Sequence, residues 1–323
     1  LQNFWTCQCK KFVYNLSDME EIITIIGPTG VGKTKLAIEL ADKFNGEIIS
    51  ADSRQVYKYL NIGTAKPTTE ERKKAVFHLI DFLIPDENYS CGNFARDAER
   101  LIKEITDRGR LPIICGGTGL YIRALYNPLH QLPQADKNLK EKLQEVLKEK
   151  GLYHLYNKLL GIDPEWAKKV GPRDKQRILR GLEVYEITKR PLSELIKKER
   201  AQARYRPKYI GLIIPRNELY KRIDNRYDDM ISNGLVDEVK NILKIGFKPD
   251  CYGLRTIGYK EIVRYLQGDW DLKTAIEKAK QHTRNFAKRQ ITWFRGISEV
   301  NWYNPDNLYD NLAYFKKILL KVN

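Results

Sequence analysis

The sequence predicts an α/β fold, a parallel sheet flanked by helices and carrying an all-helical insertion domain, and three observations lead there. Near the start, Gly27-Pro28-Thr29-Gly30-Val31-Gly32-Lys33-Thr34 matches the phosphate-binding pattern G-x4-G-K-[ST]. An apolar run over 22–26 enters this loop, and apolar residues at helical spacing over 35–44 leave it before Gly46. Further on, two more apolar runs, 111–115 and 209–215, bracket a helical stretch without strand pattern. The sheet is therefore expected to be P-loop NTPase-like.

The backbone amides of such a loop, aided by the positive end of the following helix, wrap a diphosphate, while Lys33 adds charge and Thr34 offers a hydroxyl to Mg2+. The run 47–50 reads as the next strand, with Asp52-Ser53-Arg54-Gln55 behind it. Ligands of a parallel sheet bind beyond the carboxyl ends of its strands, which puts Asp52 and the loop at one site. A carboxylate there suits two roles: accepting a proton from a nucleophile that attacks beside the diphosphate, or capping the turn. A nucleoside triphosphatase would add a strand ending in a magnesium-binding Asp. The strand 111–115 instead runs into Gly116-Gly117-Thr118-Gly119-Leu120-Tyr121, and the run 77–81, which does end in Asp81, is short.

The 323 residues carry a net charge of +16, a bias toward polyanionic partners. The excess is local, because residues 137–208 hold 20 Lys and Arg against 10 Asp and Glu. Helical spacing over 137–149 and 176–188, punctuated by Gly161-Ile162-Asp163-Pro164 and Gly171-Pro172, makes this stretch a small basic helical domain. Positions 173, 177 and 180 are expected to share one helix face, a row that fits phosphates either as a lid or as a nucleic-acid arm.

Residues 282–295 form one basic amphipathic helix, on which Phe286, Gln290, Trp293 and Phe294 make a stripe expected to pack in the core. Its opposite face offers cations to phosphates. Upstream, Arg255-Thr256-Ile257-Gly258-Tyr259-Lys260-Glu261 sets a Gly and an aromatic among charges, suiting either close backbone approach or a helix junction. Cys7 and Cys9 are too close for an easy disulfide and too few for a zinc site. Cys91, Cys115 and Cys251 are scattered, so a reducing cytoplasm is expected. No stretch approaches the roughly 20 apolar residues of a membrane span.

In this order and spacing, the loop 27–34, Asp52-Ser53-Arg54-Gln55, Ile62-Gly63-Thr64-Ala65-Lys66-Pro67, Gly116-Gly117-Thr118-Gly119-Leu120-Tyr121, the stretch 173–180, Ile257-Gly258-Tyr259-Lys260-Glu261 and the helix 282–295 resemble the tRNA dimethylallyltransferase (tRNA isopentenyltransferase) family over about residues 20–300. The resemblance implies transfer of a dimethylallyl group from its diphosphate to N6 of adenosine 37 of tRNA, 3′ of the anticodon, with release of diphosphate. The P-loop would then hold an isoprenoid diphosphate with Mg2+, which accounts for the missing second magnesium acid. By the same resemblance Asp52 orients the amine and accepts its proton, Ser53 and Gln55 hold the base edge, and Arg54 joins them on tRNA. Thr118 lies at the channel into which the adenine is flipped, and Gln176, Arg177, Ile178, Leu179 and Arg180, with Arg255, Thr256, Ile257, Gly258, Tyr259 and Lys260, contact the anticodon stem-loop. Lys140 falls near a tRNA-touching Arg of the family. Lys33, Thr34 and Arg226 serve the diphosphate, Arg226 and secondarily Arg222 clamping it from the far side.

The expected organisation is an extension at 1–18 that matches nothing in the family, with Met19 as a natural start; a catalytic core over 19–132 and 207–300; the basic insertion over 133–206; and a tail over 301–323. A monomer without membrane contact suffices. Phe77 stands where the family often has a second His, which leaves His78 structural. Two rivals share the loop. A small-molecule kinase lacks its magnesium Asp here, and an adenylate isopentenyltransferase making free cytokinin nucleotides has no use for the basic insertion and basic helix. An RNA-binding protein with a vestigial loop is disfavoured by the joint presence of Lys33, Thr34 and Asp52.

Overall fold

The computed structural model describes residues 20–127, 132–133, 137–198 and 204–309. In chain order it begins with β1 (Glu20–Ile26), α1 (Lys33–Lys43), β2 (Gly46–Ser50), α2 (Thr69–Lys74), β3 (Val76–His78), α3 (Cys91–Asp107), β4 (Leu111–Gly116) and α4 (Gly119–Tyr126). The insertion holds α5 (Lys137–Ile162), α6 (Pro164–Val170), α7 (Lys175–Thr188) and α8 (Leu192–Lys198). Then follow β5 (Tyr205–Leu212), α9 (Arg216–Ser232), α10 (Leu235–Lys244), α11 (Tyr259–Leu266), α12 (Leu272–Arg295), β6 (Asn301–Tyr303) and α13 (Pro305–Tyr309). Contacts divide the chain into two compact units, residues 1–126 with 204–323 and residues 127–203.

In the larger unit the strands form one sheet in the order β3-β2-β4-β1-β5-β6, and every strand pairing is parallel. β1 sits inside the sheet and is covered on both faces, which is why 22–26 is a continuous apolar run and not an alternating one. Ile23 and Ile25 pack with Leu36, Ala37 and Leu40 of α1. Ile22 and Ile26 pack on the other side with Phe94, Ile102 and Ile105 of α3 and Ile122 of α4. A third cluster joins Val56, Tyr57 and Leu60, beyond β2, to Leu235, Val239, Tyr259, Ile262 and Ala279 of α10, α11 and α12. It anchors the connection after β2, and hence Asp52, to the C-terminal helices.

Several expectations change. β5 begins at Tyr205, four residues before the apolar run, because Glu20 to Ile23 of β1 already present an edge for Tyr205 to Lys208 to pair with. Residues 301–303 of the expected tail are the edge strand β6, paired with β5. α12 starts ten residues earlier than the amphipathic pattern, where the Asp271 side chain accepts from the Thr274 amide at 2.6 Å. The extension 1–18 and residues 310–323 lie outside the described residues.

The smaller unit, taken by itself, is helical as expected, around Leu143, Leu155, Leu159, Ala167, Ile178 and Leu182. Its first helix breaks at Gly151 (φ 78°), a backbone conformation that glycine adopts at little cost. Asp163 is buried and shared, accepting from the Trp166 amide at 3.0 Å and the Ser193 amide at 2.8 Å. Arg173 does not join Arg177 and Arg180 on one face: Asp174 accepts from the Arg177 amide at 3.1 Å and starts α7 after it.

Candidate active site

The loop 27–34 leaves β1 in the conformation that its glycines permit. Gly32, at φ 101°, turns the chain into α1 in a region that disfavours any side chain. Thr29, Gly30, Gly32, Lys33 and Thr34 line a cavity of about 940 Å³. Gly27 packs under the Leu212 carbonyl, and Val31 is buried in the core. The Pro28 carbonyl accepts from Lys33 Nζ at 2.8 Å, so Lys33 folds back on its own loop. Burial pulls its ammonium down to about 8; the Arg226 cation acts the same way, against Cys115 and Asp52. Burial pushes the Cys115 thiol up to about 12, which keeps it neutral.

Asp52 lines the same cavity from the end of β2. Its Oδ1 accepts from the amides of Arg54 at 2.8 Å and Gln55 at 3.3 Å, so the capping role is real. Among the described residues Oδ2 has no hydrogen-bond partner, so the capping role occupies one oxygen and leaves the other open to the cavity. Thr118 supports this turn, its Oγ1 accepting from the Ser53 amide at 3.0 Å. Gln55 does not present its whole amide to a base: Nε2 donates to the Thr64 and Ala65 carbonyls at 3.3 and 3.1 Å, and Oε1 accepts from Ser50 at 3.1 Å. It fastens the segment 62–67 under the cavity. Arg54 donates to the Tyr252 carbonyl at 3.3 Å and so joins the Asp52 turn to the segment carrying Arg255.

Close approach explains the glycines after β4. A Cβ on Gly116 would lie 2.2 Å from the Ala51 carbonyl oxygen, and one on Gly117 would lie 2.2 Å from Gln290 Nε2. Gly116→Ala is expected to displace the Asp52 turn, costing about 1–3 kcal/mol in chemical denaturation. Gln290, assigned from sequence to a core stripe, is a buried clamp: Oε1 accepts from the Thr29 amide and Nε2 donates to the Gly117 carbonyl, both at 2.9 Å. Only a polar residue on the buried face of α12 hinted at it. Gln290→Leu would leave a buried carbonyl and a half-buried amide unpaired. It is expected to cost about 1–3 kcal/mol of stability and, by loosening the loop, about tenfold in affinity for inorganic diphosphate by calorimetry.

Arg226 reaches the cavity from α9 and donates to Thr29 Oγ1 at 2.7 Å, and burial lowers its pKa, although a guanidinium stays charged. Arg222 does not join it. It is held by Glu218 at 2.6 Å and Asp306 at 3.1 Å. Asp81, at another wall, is bound by Lys66 and by Arg72, the latter at 2.6 Å. His78 is structural, meeting Glu47 at 2.6 Å, where burial raises the carboxyl but His78 and Arg108 outweigh it and hold it low.

The remaining expected contacts divide by exposure. Arg255 and Lys260 are exposed, whereas Thr256, Gly258 and Tyr259 are buried and Ile257 half-buried. Tyr259 serves the frame, donating to Glu238 at 2.5 Å and accepting from the Gly63 amide at 3.0 Å. In the smaller unit Lys140, Gln176 and Arg177 are exposed, Ile178 and Leu179 are core, and Arg180 is tied to the Pro133 carbonyl at 2.9 Å. No group of three or more His, Cys, Asp or Glu fit to hold a metal occurs among the described residues. None of the described helices is long and apolar enough to cross a membrane.

A family model for IPP transferase matches residues 55–297. The chain is 48% identical over 305 residues to the tRNA dimethylallyltransferase of Thermoanaerobacter sp. (strain X514), covering 93% of this chain and 96% of that protein. It is similar in structure to the tRNA isopentenylpyrophosphate transferase of Bacillus halodurans, with TM-score 0.68, 38% identity and coverage of 94% and 98%. It also resembles a eukaryotic dimethylallyltransferase solved acting on tRNA, with TM-score 0.80, 31% identity and coverage of 93% and 78%. The chain belongs to the tRNA dimethylallyltransferase family.

Proposed function

We propose that this chain transfers the dimethylallyl group of dimethylallyl diphosphate to N6 of adenosine 37 of tRNA, just 3′ of the anticodon, forming N6-(dimethylallyl)adenosine and releasing diphosphate. The observation that carries the reading is one cavity lined at once by Lys33, Arg226 and Asp52. As the allylic C1–O bond breaks, positive charge grows on the alkyl group and negative charge on the diphosphate. The latter falls on the loop amides, Lys33 and Arg226. N6 forms the new bond to C1 and gives up one proton, which Asp52 Oδ2 accepts while Oδ1 stays in its turn. The adenine leaves its stack to enter the site, at a cost of a few kcal/mol that contacts to the rest of the loop offset.

Thr34 lines the cavity beside Lys33, and its hydroxyl, with diphosphate oxygens, suits the hard oxygen shell of Mg2+. When bound, the ion supplies further charge against the leaving group. Such a site needs no carboxylate cluster.

The test is incubation with Mg2+ and radiolabelled dimethylallyl diphosphate, with an anticodon stem-loop bearing adenosine 3′ of the anticodon, the same loop with guanosine there, and AMP as parallel acceptors. Label on the adenosine loop alone is expected. Label on AMP would make this an enzyme of free nucleotides, and none anywhere would sink the transfer reaction.

A further inference from the structure

The mechanism uses none of the exposed aromatic surface, and one ring on it is placed unlike the others. Trp293, expected in the core, is 42% exposed on α12. One part of its indole rests on Gly119, where a Cβ would lie 2.3 Å from Nε1. This explains a third close-approach glycine, one residue beyond Thr118, whose hydroxyl holds the Asp52 turn through Ser53. The ring therefore rests next to the segment that holds the turn of the proposed base, with much of its surface open. Leu120 beside it is 48% exposed.

Exposed arginines lie one helical turn from Trp293 and one from the glycine beneath it. Arg289, one turn before Trp293 on the same helix face, is exposed and lies 5.7 Å from the Phe286 ring centroid. Arg123, one turn after Gly119 on α4, is exposed and has no carboxylate partner among the described residues. A half-open indole, with exposed arginines one turn away along α12 and one turn beyond its glycine on α4, matches a single-stranded nucleotide, with the base on the ring and its phosphates on the arginines. A small allylic diphosphate has no use for an aromatic face outside its cavity.

We infer that Trp293 is a stacking platform for an unpaired base of the RNA loop next to the reacting adenosine, with Arg123 and Arg289 on the adjoining phosphates. The inference rests on the reading that RNA is the acceptor.

The test compares Trp293→Leu, which keeps apolar cover on Gly119 without an aromatic face, with Trp293→Phe, using the anticodon stem-loop as substrate. Trp293→Leu is expected to raise KM for the stem-loop about 5- to 150-fold, the range of one base–aromatic stack, with KM for dimethylallyl diphosphate changed less than about twofold. Trp293→Phe should stay within about threefold of the parent. Arg123→Ala should reduce the slope of log affinity against log salt by about 1, a change Trp293→Leu should not make. Quenching of the parent chain's tryptophan fluorescence by saturating stem-loop should largely vanish in Trp293→Phe, which tests the stack even if Trp293→Leu misfolds. An unchanged KM for RNA in Trp293→Leu, equal losses in Leu and Phe, a matching rise in KM for the diphosphate, or unaltered quenching in Trp293→Phe would each reduce Trp293 to packing. Failure of the parent chain to prenylate the stem-loop would instead overturn the choice of acceptor.

Discussion

Asp52→Asn is expected to lower kcat about 10²- to 10⁴-fold, the usual worth of a positioned general base, with little change in thermal stability. Asparagine keeps an oxygen for the Arg54 and Gln55 amides, so the turn survives while the proton acceptor is lost. Asp52→Ala removes both and should lose about 1 kcal/mol of stability as well. Comparing the two by single-turnover prenylation and calorimetric unfolding separates chemistry from capping. Near-parental turnover in Asp52→Asn would remove Asp52 as the base.

Lys33→Met is expected to reduce kcat/KM for dimethylallyl diphosphate about 10²- to 10³-fold, because it deletes a preorganised charge where the leaving group becomes most negative. The depressed pKa adds a pH signature. With Lys33 near 8 in the free protein, diphosphate binds the protonated form and raises its pKa. Affinity should therefore be level well below pH 8, begin to fall as pH nears 8, and fall toward about tenfold per unit above it. The same depression means that the unfolded chain binds the extra proton between about 8 and 10.5. Lys33 accordingly costs stability in full below pH 8, and that cost is relieved as pH rises through this window. Titration calorimetry from pH 7 to 9.5 checks the binding break, which should be absent in Lys33→Met. A pH-independent affinity in the parent would show that Lys33 is not the titrating group.

The phosphate loop was legible because its chemistry is contiguous: glycines, Lys33 and Thr34 lie within eight residues, and the flanking strand and helix follow from local apolar spacing. Asp52 was legible as the first carboxylate past a buried strand. The helical nature of the insertion followed equally from local period, but a helix face shared by Arg173 did not, since the N-cap at Asp174 starts the helix only after it. Period assigned Gln290 and Trp293 to one apolar stripe. It has no means of telling that Gln290 meets a loop amide while Trp293, three residues on, meets a glycine.

What the sequence by itself determined is the α/β class, the glycine-rich loop 27–34 between β1 and α1, the carboxylate beyond β2 and the basic helical insertion, because each is written in neighbouring residues. Only the tertiary structure decided that Arg226 and not Arg222 reaches the cavity, that Gln55 fastens a loop, that Gln290 clamps the loop 27–34, and that Trp293 is part-exposed against Gly119. The Gln55 contacts are local but lie in an irregular connection with no period to read, whereas the Gln290 contact joins surfaces 261 residues apart, a distance at which local pattern carries no register.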